Sequence, residues 1–131
     1  MIPIGTNIGP SVPLLVGDAF KLPVQCYIKP MGTVAAQFTP GDTIEGSVYR
    51  KGIKTPLFSP SVTWYTRPDK FGTPTQTGYD QGQVWVFGTS DQAALFVVGN
   101  EYFLVVDWAP SSDPANSQAI AFLQLSIGRP Y

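Results

Sequence analysis

Histidine is absent from the 131-residue chain, and cysteine occurs once, as Cys26. Without histidine the chain cannot build a Ser-His-Asp or Cys-His nucleophile, a histidine general base, or most zinc and iron sites. A single cysteine cannot form a disulfide within the chain. Because Cys26 lies on the apolar side of a predicted strand, we expect a buried thiol. The sequence therefore predicts no cofactor and no metal ion.

Charged residues are also scarce. They make up 13% of the chain and leave a net charge of −1, whereas an average soluble protein contains about 25%. Proteins that bind nucleic acid neutralise phosphates with clustered Lys and Arg, and the eight such residues here are scattered. We therefore expect no nucleic-acid partner.

Long apolar runs are missing as well. No stretch approaches the about 20 apolar residues of a membrane span, and the opening Met-Ile-Pro-Ile-Gly lacks the basic region of a signal peptide. We expect no membrane partner and assembly in a cytoplasm. A virion protein, which is made inside a host cell and then carried out of it, shares these features.

The most strand-like part of the chain is the stretch 101–108, which is rich in β-branched and aromatic residues and follows the turn pair Gly99-Asn100. Alternation gives it one wholly apolar face, made of Tyr102, Leu104, Val106 and Trp108. The other face carries Phe103 and Val105 between two acids. A half-apolar outer face needs a cover, either a loop of the same chain or a neighbouring subunit.

Similar alternation recurs between Gly- and Pro-rich turns, because each of these residues occurs 13 times. The predicted strands are residues 19–29, 42–50, 61–67, 83–87, 101–108 and 118–127. In the last strand we expect Ile120 and Phe122 on the face opposite Ala119 and Ala121. Residues 89–91 offer helix N-caps for one or two turns that end by Gly99. This pattern predicts an all-β fold, a single antiparallel β-sandwich of immunoglobulin-like type with one short helical turn.

Residues 1–17 contain three prolines and three glycines, which exclude a helix, yet the segment is too apolar for a solvated tail. It is either an edge strand and loop folded on its own domain or an extended arm that lies on a neighbour. We divide the chain into this arm and a sandwich domain of residues 18–131. The candidate interface residues are Ile2, Ile4, Ile8, Val12, Leu14, Trp85, Phe87 and Phe103.

The sequence offers few candidate catalytic residues. Two carboxylates held roughly 5–10 Å apart can hydrolyse glycosides, but most of the nine acids occupy turn or cap positions. Glu45 and Asp107 are the two in mid-strand, on predicted outward faces. We expect no enzyme. The many aromatic residues fit a sandwich core, with an apolar protein interface or a sugar-stacking platform as functional alternatives for those that face outward.

The order of landmarks resembles a known family. Gly17-Asp18 opens the first strand, residues 40–48 (Pro-Gly-Asp-Thr-Ile-Glu-Gly-Ser-Val) form the next, and residues 81–86 and 99–106 precede a closing strand at 123–127. This pattern is similar to the small N-terminal β-sandwich of tailed-phage baseplate upper proteins and related phage structural proteins. The resemblance, which spans about residues 17–128, implies a non-enzymatic, oligomeric virion subunit. Its partners would be other virion proteins of the capsid, tail or baseplate, and a capsid-decorating or tail accessory role is expected. A carbohydrate-binding β-sandwich module is the alternative.

Overall fold

The computed structural model describes residues 12–27, 36, 38, 41–64, 67–68, 74–75 and 82–129. Within these residues the chain forms nine strands and one short helix. They are β1 (Val12–Leu15), β2 (Phe20–Gln25), β3 (Thr43–Arg50), β4 (Ser61–Trp64), β5 (Arg67–Pro68), β6 (Pro74–Thr75), β7 (Gln83–Gly88), α1 (Ser90–Ala93), β8 (Tyr102–Ala109) and β9 (Gln118–Gly128).

Two sheets form the sandwich, and the all-β prediction is confirmed. One sheet has the order β1-β9-β8-β3 and the other β2-β7-β4, while β5 and β6 form a separate two-stranded pair. All pairings are antiparallel except that of β1 with β9, which is parallel. The stretch 101–108, predicted as a central strand, is β8, which lies between β9 and β3.

Alternation sets the core. On β2 the residues Leu22, Val24 and the following Cys26 face inward, and on β8 the inward residues Tyr102 and Val106 are almost fully buried. Burial in this apolar setting raises the pKa of the Cys26 thiol to about 12, because the thiolate would be desolvated. Cys26 is thus a neutral core residue at physiological pH.

Helix α1 begins where its capping residues predict. Thr89 is the N-cap, and its side chain accepts a hydrogen bond from the Gln92 N–H at 3.1 Å. The Gln92 amide oxygen accepts in return from the Thr89 N–H at 3.0 Å, which completes a capping box. The helix is only four residues long, and Ala94 is its C-cap.

A β-bulge in β9 overturns the predicted facing of Ile120. Val106 pairs with Ala121, but the next residue, Asp107, pairs with Ala119, so that Ile120 is an extra residue in the ladder. A bulge lets two successive side chains turn to the same face. Ile120 and Ala121 are accordingly both fully buried, and the strict alternation predicted for residues 118–127 was wrong at this position.

Two aromatic clusters fill opposite ends of the core. At one end Phe96 packs against Phe58 and Tyr102, with ring centroids 5.4 and 4.9 Å away, and Phe20 joins the same group. At the other end the ring centroid of Phe38 lies 4.8 Å from that of Trp64 and 5.6 Å from that of Trp108. Much of the aromatic content is therefore core.

Candidate functional site

One end of the sandwich carries the exposed apolar surface. The five large hydrophobic residues that are most exposed among the described residues are Leu15 (40%), Ile53 (52%), Leu95 (48%), Val97 (56%) and Val98 (38%). We call these five residues the apolar end. Exposed apolar side chains that are scattered singly are normal, whereas a shared patch marks an interaction site, so the location of these five matters.

The strand registers place all five at the same end. Tyr102, the first residue of β8, pairs with Arg50, the last residue of β3, so that Ile53 and the 95–98 segment adjoin that end. Tyr102 also pairs with Leu125 of β9, and Leu15 pairs with Gly128, which lies further out along the same strand. The apolar end is thus formed by the end of β1 together with the connections after β3 and before β8.

Contacts with the buried core hold the segment 95–98 in place. Phe96 is 2% exposed and inserts into the aromatic cluster, whereas Leu95 and Val97 on either side of it point outward. The hydroxyl of Tyr102 accepts a hydrogen bond from the Val97 N–H at 2.9 Å. A buried ring and a buried hydroxyl therefore fix a loop whose remaining side chains face solvent.

Polar groups border this apolar surface. Lys51 forms a 2.9 Å ion pair with Glu101, and both side chains are largely exposed. The Lys51 N–H donates to the Glu101 carbonyl at 2.9 Å, which ties the turn after β3 to the start of β8. A polar rim around an apolar centre is the usual composition of a protein–protein interface.

We expect Tyr102→Phe to lower the free energy of unfolding by about 1–2 kcal/mol, because the Val97 N–H loses its part-buried acceptor. The comparison variant is Tyr49→Phe. The Tyr49 hydroxyl makes no hydrogen bond to any described residue, so its removal should lower the free energy of unfolding by less. Urea denaturation measures both. Equal losses in the two variants would show that the Tyr102 hydroxyl does not hold the loop.

The outer face of the β8 sheet is partly covered by its own side chains. Phe103 stacks on Phe122 of β9 with ring centroids 5.0 Å apart and an angle of 24°, and Val105 pairs with Phe122 across the ladder. Phe103, Val105 and Phe122 are all half-buried. The cover that this face was predicted to need therefore comes in part from cross-strand neighbours.

The outer face of the β7 sheet carries Trp85 and Phe87, both half-buried. The ammonium of Lys21 lies 4.3 Å from the centre of the Trp85 ring and 5.4 Å from that of Phe87. Such cation–π contacts hold the lysine where a sugar ring would have to stack. The arrangement does not favour the sugar-platform alternative.

A pair of acids lies on the outer face at the free edge of the other sheet. Glu45 of β3 pairs directly with Asp107 of β8. Partial burial raises the pKa of Asp107, and the negative charge of Glu45 adds to this rise. The folded state therefore pays a small electrostatic cost for keeping Asp107 ionised at neutral pH.

We expect Asp107→Asn to raise the free energy of unfolding at pH 7 by roughly 0.5 kcal/mol, a value discounted for solvent screening. Since the pKa of Asp107 is higher in the folded state, the benefit is full above that pKa and fades as the pH falls and the carboxyl takes up a proton. Urea denaturation at pH 7 and pH 4 measures the difference in unfolding free energy between the variant and the parent chain, with the exposed turn variant Asp18→Asn as control. A benefit that persists unchanged at pH 4 would contradict this cause.

The predicted interface residues that the structure describes belong to both sheets. Ile2, Ile4 and Ile8 lie outside the described residues. Val12 and Leu14 belong to β1, and Leu14 is 6% exposed and part of the core, so it has little surface to offer a neighbour. Trp85 and Phe87 lie on one sheet and Phe103 on the other.

Sequence reasoning missed the apolar end. Its signal was the run Leu95-Phe96-Val97-Val98, which is four consecutive apolar residues directly after a capped helical turn. An exposed run of three or four consecutive apolar residues is unusual unless it has a function. Only the strand registers show that Leu15 and Ile53 lie at the same end.

Among the described residues, no three His, Cys, Asp or Glu side chains come together in a group that could hold a metal ion. The described part of the chain contains no helix with the length and apolar character needed to cross a membrane. No known protein family matches the sequence, and no curated protein or solved structure is similar to it.

Proposed function

We propose that this protein is a non-enzymatic structural subunit of a tailed-phage virion, which docks on capsid, tail or baseplate neighbours through apolar contacts. The observation that carries the proposal is the collection of exposed aliphatic side chains at the apolar end. The order of strands and turns that resembles phage baseplate sandwiches gives the virion context. The low charge content agrees with docking that depends little on salt.

The apolar end supplies a modest free energy per copy. Its exposed fractions together amount to roughly two fully exposed aliphatic side chains, and burying each contributes about 1.5–3 kcal/mol. Association costs at least about 4 kcal/mol in lost translational and rotational freedom. One copy would therefore bind weakly, and the repeated attachment sites of a symmetric particle would strengthen the attachment through multivalency.

The N-terminal segment is a second candidate contact in this proposal. Its isoleucines, Ile2, Ile4 and Ile8, are the apolar residues assigned to an arm on a neighbour. Because β1 begins at Val12 and pairs with β9, deletion of residues 1–11 removes this segment and keeps every strand that the structure describes. Normal incorporation of the deleted chain into particles would exclude the arm from docking but leave the apolar end as the contact.

The proposal is tested on particles of the phage that encodes the chain. Particles are purified by density gradient, washed in high salt, and analysed by quantitative mass spectrometry for this protein. We expect a fixed number of copies per particle that resists salt, because apolar contacts are insensitive to screening. Absence of the protein from purified particles would overturn the virion assignment. Saturable quenching of tryptophan fluorescence by a sugar would favour the carbohydrate-binding alternative.

A further inference from the structure

Strand β1 is a small unit on the edge of its sheet. It comprises four residues and pairs in parallel with β9, its only strand partner among the described residues. Leu14 is its one buried side chain, and Val12 is partly buried. The next residue, Val16, extends the pairing, because its N–H donates to the Gly128 carbonyl at 3.2 Å. The strand is therefore attached to the sandwich by β9 and by one inserted side chain.

The outer edge of β1 is closed to a further strand. Since the Val16 N–H is directed to β9 and backbone groups alternate along a strand, Pro13 and Leu15 direct their backbone groups to the outer side. Pro13 has no N–H to donate there, and the Leu15 carbonyl already accepts a hydrogen bond from the Asp18 N–H at 3.3 Å. A neighbouring chain could therefore join the sheet at this edge only by taking the place of β1.

The connection between β1 and β2 is a tight turn of four residues, 16–19, that leads from one sheet to the other. We call these residues the hinge. Within the hinge Gly17 has φ of +82°, a conformation that is unfavourable for residues with a side chain. Short hinges favour strand exchange, because a chain whose hinge opens can place its strand on another copy and keep every strand contact. The closed and exchanged forms then differ mainly in the hinge.

The hinge lies beside the apolar end. Phe20 is the first residue after the hinge, and its ring centroid lies 6.4 Å from that of Phe96. Phe96 in turn lies between the exposed residues Leu95 and Val97. Two copies that exchanged β1 would cross at this place, and the crossing would cover part of the exposed aliphatic surface. Burial of that surface favours a second copy as the partner.

We propose that copies of this chain exchange β1, so that the strand takes the same place on β9 of a neighbouring copy. The register from Val12 opposite Leu125 to Leu15 opposite Gly128 is kept, and Leu14 fills the same position in the neighbour's core. In dilute solution each chain keeps its own β1, as in this structure, and the high local concentration of an assembly favours exchange. The proposal concerns copies of this chain alone and does not depend on the virion assignment.

The test mixes two purified variants of the full chain, Leu15→Cys and Gly128→Cys, at millimolar concentration before mild oxidation. A Cβ at Gly128 would lie 3.3 Å from Cδ2 of Leu15, so cysteines at these paired positions are close enough to form a disulfide. Cys26 is fully buried and stays in place. We expect a disulfide that joins position 15 of one chain to position 128 of the other, detected by mass spectrometry. Leu15→Cys mixed with the exposed variant Ser112→Cys gives the background of random collisions.

The role of the hinge is tested by adding Gly17→Ala to both cysteine variants. We expect the yield of the mixed disulfide to rise about tenfold, because the closed turn requires a positive φ and the opened hinge does not. Gly52→Ala is the control, since Gly52 has a similar φ of +83° and equally open surroundings but lies outside the hinge. It should leave the yield unchanged. Size-exclusion chromatography of the two glycine variants without added cysteines should show dimers or larger species for Gly17→Ala only.

A mixed disulfide no more abundant than the Ser112→Cys background would overturn the proposal, as would oligomers that lack the link between positions 15 and 128. An equal rise with Gly17→Ala and Gly52→Ala would also contradict it, because the effect would then come from general destabilisation. The chain that carries both Leu15→Cys and Gly128→Cys should form the disulfide internally when dilute, which checks that the two positions can react. If they cannot, the elution of Gly17→Ala decides, and a monomer at millimolar concentration excludes exchange.

Discussion

The double variant Leu95→Lys/Val97→Lys is expected to lower incorporation into particles at least about tenfold, because docking would bury two ammonium groups without partners. Both side chains are about half exposed, so the isolated domain should lose no more than about 1 kcal/mol of unfolding free energy. Mass spectrometry of particles from cells expressing each variant measures incorporation. Urea denaturation checks that the variant is folded.

The matched control adds the same two charges at the opposite end of the sandwich. Ser112 and Ala115 are exposed in the connection between β8 and β9, and Ser112→Lys/Ala115→Lys changes the net charge by the same amount. We expect this control to be incorporated normally. Equal losses in both double variants would assign the effect to net charge, and normal incorporation of both would remove the apolar end from the docking mechanism.

Gly82→Ala is expected to lower the free energy of unfolding by about 2–5 kcal/mol, since it combines two penalties. Gly82 has φ of +67°, and a Cβ there would lie 2.7 and 2.8 Å from the backbone oxygen and nitrogen of Ala36 and 2.8 Å from the Cys26 oxygen. The left-handed conformation costs about 1–2 kcal/mol for a residue with a side chain, and the overpacking costs about 1–3 kcal/mol more. Backbone atoms cannot swing aside as a flexible side chain can.

The control for this substitution is Gly52→Ala. Gly52 has a similar φ of +83°, but no atom lies within 4 Å of its added Cβ. We expect a loss of about 1–2 kcal/mol, which is the conformational penalty alone. Thermal and urea denaturation of the two variants separate the conformational penalty from the overpacking penalty. If both cost the same, the close backbone junction of Gly82, Ala36 and Cys26 does not constrain the fold.

The sequence predicts the sandwich well where one face of a strand is buried and the turns are marked. The alternation in β2 and the Thr89 cap of α1 are local signals, since each depends on residues within a few positions. The buried faces of β3 and β8 follow from the same rule. Such signals need no knowledge of which strands are neighbours.

Features that depend on pairing between distant residues escape this reasoning. The bulge at Ile120 exists only in relation to Val106 and Asp107 on the neighbouring strand, and the parallel pairing of β1 with β9 joins the two ends of the described chain. The apolar end is of the same kind, because the β1–β9 and β3–β8 registers bring Leu15 and Ile53 to it. The predicted interface residues were taken from the apolar N-terminal segment and from aromatic residues on outward strand faces, and Leu14 proved to be core.

The most direct test of the central claim is hydroxyl-radical footprinting of the free chain and of intact particles. We predict that oxidation of Leu95, Val97, Val98 and Ile53 falls several-fold in the particle, while the exposed loop at residues 111–117 is oxidised to the same extent in both. Unchanged oxidation of the apolar end in a particle that contains the protein would contradict docking through this surface, because those side chains would still face water.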